Sequence, residues 1–313
     1  MPDPTGLLEQ ALFHPAEAEP SSGDDLRADL AAAGADFRAA RYQALGQRLP
    51  ALIGTAEATR STATGTAGEQ VHAAAARAYV LAAELALKQH ADIAWVAAGR
   101  ALTAARASGD PVATGEAARV LAITMRRAGR TDAAIDLLRR IAQPLIEQRG
   151  VEPRAVGASL LMTAAYTAAC GHHRADALDL MAGAEQTVTG LQTGPGQRLF
   201  TVDATSEQLH LYWIGVNNAL GTPDEGVQHA ARINPRALPT AERRARLGTD
   251  VARMWHQLDD PRRTFTALRM VEQAAPEEVR RPALRAMTAD LLYRPAPLSG
   301  VREFARRTGA VGV

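Results

Sequence analysis

The chain is poor in several residue classes, and each shortage excludes something. It has one cysteine, Cys170, in 313 residues. No intrachain disulfide framework can be built from it, and paired-cysteine metal spacings are excluded with it. Aromatic residues make up only 4% of the chain. Runs of Val, Ile, Thr and aromatics alternating at period two are missing, which argues against a sheet and for an all-α fold. Neither sign of charge dominates: 35 Lys and Arg face 34 Asp and Glu, for a net charge of +1. A dedicated nucleic-acid binder carries a basic excess or a basic stripe. Here the pairs Arg126-Arg127, Arg139-Arg140, Arg243-Arg244 and Arg280-Arg281 are scattered and read as solvated helix faces. No apolar run approaches the roughly 18 residues that span a bilayer. The first residues lack the basic stretch and apolar core of a signal peptide. The expectation is a soluble cytoplasmic protein with no membrane partner and no direct nucleic-acid binding.

Chemistry-bearing motifs are also missing. There is no HExxH and no Walker-type GxxxxGK. TGPGQR, around Gly194 and Gly196, has neither a lysine nor a preceding strand, and reads as a plain loop. His172-His173 reads as an exposed turn, because adjacent helical residues diverge and rarely share a metal. Cys170 has His172 near it in sequence as a base but no identifiable third group, and reads as a small buried residue. Trp95, Trp213 and Trp255 fall where core packing against a partner helix is expected. No catalytic constellation emerges. The expectation is a protein that is not an enzyme and uses no cofactor and no metal.

What the chain does have is alanine-rich helical periodicity, with 47% hydrophobic residues. From Glu116 to Ile146 it predicts two antiparallel helices joined at Gly129. Ala118, Leu121, Ala122 and Met125 make one apolar stripe; Ala134, Leu137, Leu138, Ile141 and Leu145 make the other. One hairpin cannot bury both sides of such a unit, so it must stack on copies of itself. The pattern recurs. Ala33 with Leu45, Ala82 with Ala94, Ala122 with Ala134, Ala165 with Ala177, Ile214 with Gly226, and Ala252 with Thr264 each lie twelve positions apart. Turn signals stand between them at Gln89-His90, Gly129-Arg130, Gly171-His172, Gly221-Thr222-Pro223 and Asp259-Asp260-Pro261. The hairpins are longer than an ideal unit of about 34 residues. The extra length is assigned to two loops, one around Thr55 to Gln70 and one around Thr189 to Phe200. The domain reading is an N-terminal extension over 1–25, a helical repeat domain over 26–276, and capping helices over 277–313.

Ala122 and Ala134 with Gly129, and Pro276 after Val271, resemble the tetratricopeptide-repeat family. LAAELALKQHADIAWVAAGRALTAARASGDP and APEEVRRPALRAMTADLL resemble, more narrowly, the C-terminal sensor half of actinobacterial Xre/Cro-type helix-turn-helix regulators. The resemblance implies a right-handed α-α superhelix of about six hairpins and a sensing or interaction role. A helix-turn-helix module needs roughly 55 to 65 residues. About 25 residues precede the first repeat, so DNA binding does not carry over.

In such a solenoid the first helices line the concave side. That register selects Tyr79, Arg119, Arg126, Tyr166, Asn218, Arg253 and His256 as groove-lining candidates. Arginines, tyrosines and a histidine converging there suit a peptide, an anionic small molecule or a partner protein. The reading is a non-catalytic, regulatory binding or sensor module. Its alternatives are a structural adaptor without a small ligand, or a transcriptional regulator acting through a separate DNA-binding partner.

Overall fold

The protein is described by a computed structural model covering residues 4–14, 17–191, 199–201, 203–296 and 298–310. Among these residues it is all-helical, with no strand. The helices are α1 (Pro4–Phe13), α2 (Gly23–Arg38), α3 (Tyr42–Thr62), α4 (Gly65–Gln89), α5 (Ala94–Ser108), α6 (Pro111–Arg127), α7 (Thr131–Glu147) and α8 (Val151–Cys170). They continue with α9 (Arg174–Thr189), α10 (Ser206–Leu220), α11 (Pro223–Arg232), α12 (Ala241–Gln257), α13 (Pro261–Ala274), α14 (Pro282–Leu292) and α15 (Val301–Thr308). No described helix is long and apolar enough to cross a membrane. Packing divides the chain into two compact units, Met1–Phe37 with Tyr42–Ser206, and Arg38–Arg41 with Glu207–Val313.

All twelve residues of the repeat register are buried. Each pair falls on consecutive helices, from α2 and α3 through α12 and α13. The turn inside every pair contains one residue in the left-handed region: Ala40, His90, Gly129, His172, Gly221 and Asp259, with φ from 56° to 74°. Five of these turns close the same way. The N–H after the left-handed residue reaches back to a carbonyl five positions earlier: Ala91 to Ala86, Arg130 to Met125, His173 to Ala168, Thr222 to Asn217 and Asp260 to Trp255, at 2.9–3.0 Å. This bond satisfies carbonyls that the end of a helix leaves orphaned. In the turn after α8 the left-handed residue is His172. Gly171 beside it has φ −87°, and a Cβ there would stand 2.7 Å from Thr131 Cγ2. That glycine serves close packing rather than the turn.

In the first unit, α4 packs on α6 and α6 on α8, while α5, α7 and α9 each pack on the helix before them. The N-terminal patch forms α1, which packs on α3 through fully buried Leu8 and Leu12. In the second unit Leu211, Ile214, Ile233, Leu238, Leu247 and Met254 form a buried apolar cluster. There α15 carries Phe304 edge-on against Phe265, with ring centres 5.4 Å apart.

The loop expected around Thr55 to Gln70 is helical instead. α3 runs to Thr62 and α4 starts at Gly65. The hydroxyls that made the stretch read as a loop bond back to helix carbonyls, Thr59 Oγ1 to Thr55 O at 2.7 Å and Ser61 Oγ to Ala58 O at 2.7 Å. The extra length is therefore in long helices, 21 residues in α3 and 25 in α4. Much of the second expected loop, including Gly194 and Gly196, lies outside the described residues.

Candidate binding cleft

The residues expected to line a groove divide between the two units. In the first unit they serve mainly to tie first helices together. Arg119 of α6 is 5% exposed. Its guanidinium is held by Glu84 of α4, and Nη2 also lies 3.4 Å from Thr201 Oγ1. One turn away the charges are exchanged: Arg77 Nε of α4 donates to Glu116 Oε2 of α6 at 2.9 Å. Glu116 is buried, which pushes its carboxyl above the ordinary range, while Arg77 works against the rise. Arg126 lies over the Tyr166 ring at 4.7 Å and donates to Thr167 Oγ1 at 3.2 Å, linking α6 to α8. Arg119 is thus a buried structural ion-pair partner rather than a hydrated groove residue.

In the second unit the candidates gather around a residue the sequence did not single out. Asp250 is 1% exposed. Its carboxylate accepts from Arg246 Nε at 2.6 Å and from Arg253 Nη1 at 3.4 Å, and its carbonyl accepts from Asn218 Nδ2 at 2.9 Å. His256 Nε2 lies 2.9 Å from Asp290 Oδ2.

Tyr79 lines an open cleft of about 650 Å³, bounded by α3, α4 and α5. α3 supplies Glu57 and Arg60, and α4 supplies His72 and Tyr79 seven residues apart on one face. From α5 come Trp95, Gly99 and Thr103, with Val96 and Arg100 beside them, at the spacing of four that aligns side chains on a helix. The Tyr79 hydroxyl donates to Glu57 Oε1 at 3.0 Å, and Arg60 Nε donates to Glu57 Oε2 at 3.1 Å. Both carboxylate oxygens are engaged. The Arg100 guanidinium lies 5.8 Å from the Tyr79 ring centre. No described carboxylate forms an ion pair with Arg100. Burial, with the Glu57 charge adding to it, pushes the Tyr79 hydroxyl up to about 12 against a hydrogen bond donated by Arg100 and the Arg100 charge. His72 Nδ1 is buried without a hydrogen-bond partner among the described residues.

Trp95 is not the core residue expected. It is 40% exposed on the rim of this cleft, and Arg130 lies over its ring at 5.3 Å. Cys170, expected to be buried, is exposed. Of the basic pairs, Arg243 is also not solvated: it is buried beside Glu242, Nε to Oε2 3.2 Å. One hairpin further on, a second depression of about 560 Å³ lies between α5, α6 and α7. Leu121 and Met125 of the predicted apolar stripe line it, with Arg106, Arg139 and Arg140. In the second unit, His210 Nδ1 and His229 Nδ1 stand 3.1 Å apart, and Trp213 stacks on His229 at 5.2 Å. Burial first, then the charges of His210 and Arg232, holds His229 down to about 4. Among the described residues no three His, Cys, Asp or Glu side chains are placed to hold a metal ion.

No protein-family model matches the chain, and no curated protein matches it in sequence.

Proposed function

We propose that the chain is a non-catalytic binding module of tetratricopeptide-like build, and that its ligand seat is the cleft between α3, α4 and α5. The superhelical reading is favoured by five turns that close the same way and, in the first unit, by first helices that pack successively, α4 on α6 on α8. The sensing role follows from the resemblance to the sensor halves of Xre/Cro-type regulators. The seat moves from the face of the first helices to the side of the second helices for a physical reason. Arg119 on the former is already neutralised by a buried carboxylate, whereas Arg100 beside the cleft bonds the Tyr79 hydroxyl and has no carboxylate partner among the described residues.

The observation that carries the reading is the cleft itself. A volume of about 650 Å³ lies within the range of roughly 300–1,000 Å³ typical of small-ligand pockets, and mixed apolar walls with a few aimed polar groups are what such pockets have. Native mass spectrometry of the protein purified from its own host is expected to show a bound small molecule or short peptide. Gly99→Leu, which fills open space at the cleft wall, is expected to lose that mass at an unchanged melting temperature. Retention of the same mass by Gly99→Leu would place the ligand elsewhere. Recovery of a stoichiometric protein partner and no small mass would favour the adaptor reading.

A further inference from the structure

Building on the cleft as ligand seat, we infer that it selects a flat, aromatic ligand bearing a single negative charge. Two observations converge on this class. The first is charge. Arg60, Arg100 and Glu57 line the cleft; with histidine neutral they leave one positive charge. Glu57 is fully engaged by Arg60 and the Tyr79 hydroxyl, so the surplus sits on Arg100. A cationic ligand would meet that surplus and find no open carboxylate oxygen. A neutral apolar ligand would strip water from Arg100 and return no counter-charge, which is costly. One carboxylate or sulfonate on the ligand matches the guanidinium in charge and in fork geometry.

The second is shape. Trp95 is 40% exposed and stands one helical turn before Gly99. A Cβ built at Gly99 meets nothing within 4 Å, so this glycine is not required by packing. It leaves a gap beside the indole. A ring entering that gap gains contact with Trp95 and with the neighbouring Val96 and Ala104.

The test uses two fluorescent probes that differ by one group: 1-anilinonaphthalene-8-sulfonate, a monoanion with a flat naphthalene ring, and N-phenyl-1-naphthylamine, its neutral counterpart. The sulfonate is expected to bind saturably and at least about tenfold more tightly than the neutral amine, the scale of one charge-assisted hydrogen bond. Arg100→Gln is expected to bring the sulfonate down to the affinity of the neutral probe and leave the latter within about twofold. Gly99→Leu is expected to remove both. On the unaltered protein, indole-3-acetate should displace the sulfonate probe and tryptamine should not, a readout that survives even if Arg100→Gln folds poorly. If both probes bind alike, tryptamine competes as well as indole-3-acetate, and Gly99→Leu still removes both, the cleft is a ligand seat without the charge selectivity inferred here. If neither probe binds, or Gly99→Leu leaves sulfonate binding intact, the cleft is not the seat and both readings fall.

Discussion

At the scale of single residues, the same side-chain type does opposite work at positions the sequence cannot tell apart. Arg119 and Arg126 lie seven residues apart on α6, both on the face predicted to line a groove. Arg119 is 5% exposed and shares a buried ion pair with Glu84. Arg126 is half-buried, stacked on Tyr166 with one bond to a threonine hydroxyl. Removing one member of a buried pair leaves its partner desolvated and uncompensated, at about 3–5 kcal/mol. Arg119→Met is therefore expected to cost that much in urea unfolding. Arg126→Ala should stay within about 1 kcal/mol, the scale of a partly exposed cation over an aromatic ring. Equal costs for the two would show that the Glu84 pair does not form in solution. Helical spacing reveals which face a residue occupies. It does not reveal that Glu84, 35 residues away, will meet Arg119 there, nor that Asp250 will anchor Arg246 and Arg253 from a buried position. Trp95 escaped for the reverse reason: an aromatic on a helix reads as core unless something shows that its neighbouring surface is empty. Gly99, open on its Cβ side inside an alanine-rich helix, was the one available signal.

At the scale of elements, the succession of helices was legible because it rests on two local rules, small or apolar residues twelve apart and a helix stop between them. The turns show where those rules were incomplete. Only Gly129 and Gly221 of the six left-handed turn residues are glycines; the others are Ala40, His90, His172 and Asp259. A non-glycine residue in that region carries a backbone cost of roughly 1–2 kcal/mol, partly offset by its smaller loss of chain entropy on folding. His172 is exposed, with φ 61°, so little is lost by removing its side chain. His172→Gly is expected to raise stability by roughly 0.5–1 kcal/mol, and Gly129→Ala, at φ 74°, to lower it by about 1 kcal/mol. Shifts of the same sign in thermal melts of the two variants would contradict a shared turn geometry. Helix crossings behave differently. A Cβ at Gly157 would stand 2.7 Å from Ile146 Cγ1 and 3.2 Å from the Ala142 carbonyl oxygen. Part of that clash is with backbone, which cannot rotate away, so Gly157→Ala is expected to cost about 1–3 kcal/mol by overpacking. The misread stretch from Thr55 to Gln70 shows the limit of composition as a guide. Threonine and serine mark loops when their hydroxyls compete with the backbone, but here those of Thr59 and Ser61 bond to the preceding turn and the helix continues.

At the scale of the whole molecule, the all-helical composition was evident from the start, whereas the division into two units was not, because the same repeat register runs through both. The two units should nonetheless answer differently to pH, since each holds a strongly displaced titrating group besides the raised Glu116 of the first. In the first unit the Tyr79 hydroxyl is pushed up to about 12 from 10.0. Its neutral form is favoured by folding, so its contribution is complete below pH 10 and is lost as pH rises from 10 towards 12. In the second unit His229 is held down to about 4 from 6.5. Its neutral form too is favoured by folding, so its contribution is complete above pH 6.5 and is lost as pH falls towards 4. Geometry gives the acid limb its cause. With Nδ1 of His210 and of His229 3.1 Å apart, one ring must present a hydrogen and the other a lone pair. Protonating both would set two N–H groups against each other beside Arg232. Urea midpoints measured from pH 7 to pH 4 are therefore expected to fall in the wild type and to fall less in His229→Gln. From pH 9 to pH 12 they should fall in the wild type and less in Tyr79→Phe. Each variant should leave the other limb in place. An acid limb of unchanged depth in His229→Gln would move the titrating group away from the histidine pair, and one lost in Tyr79→Phe would mean that the two groups are coupled.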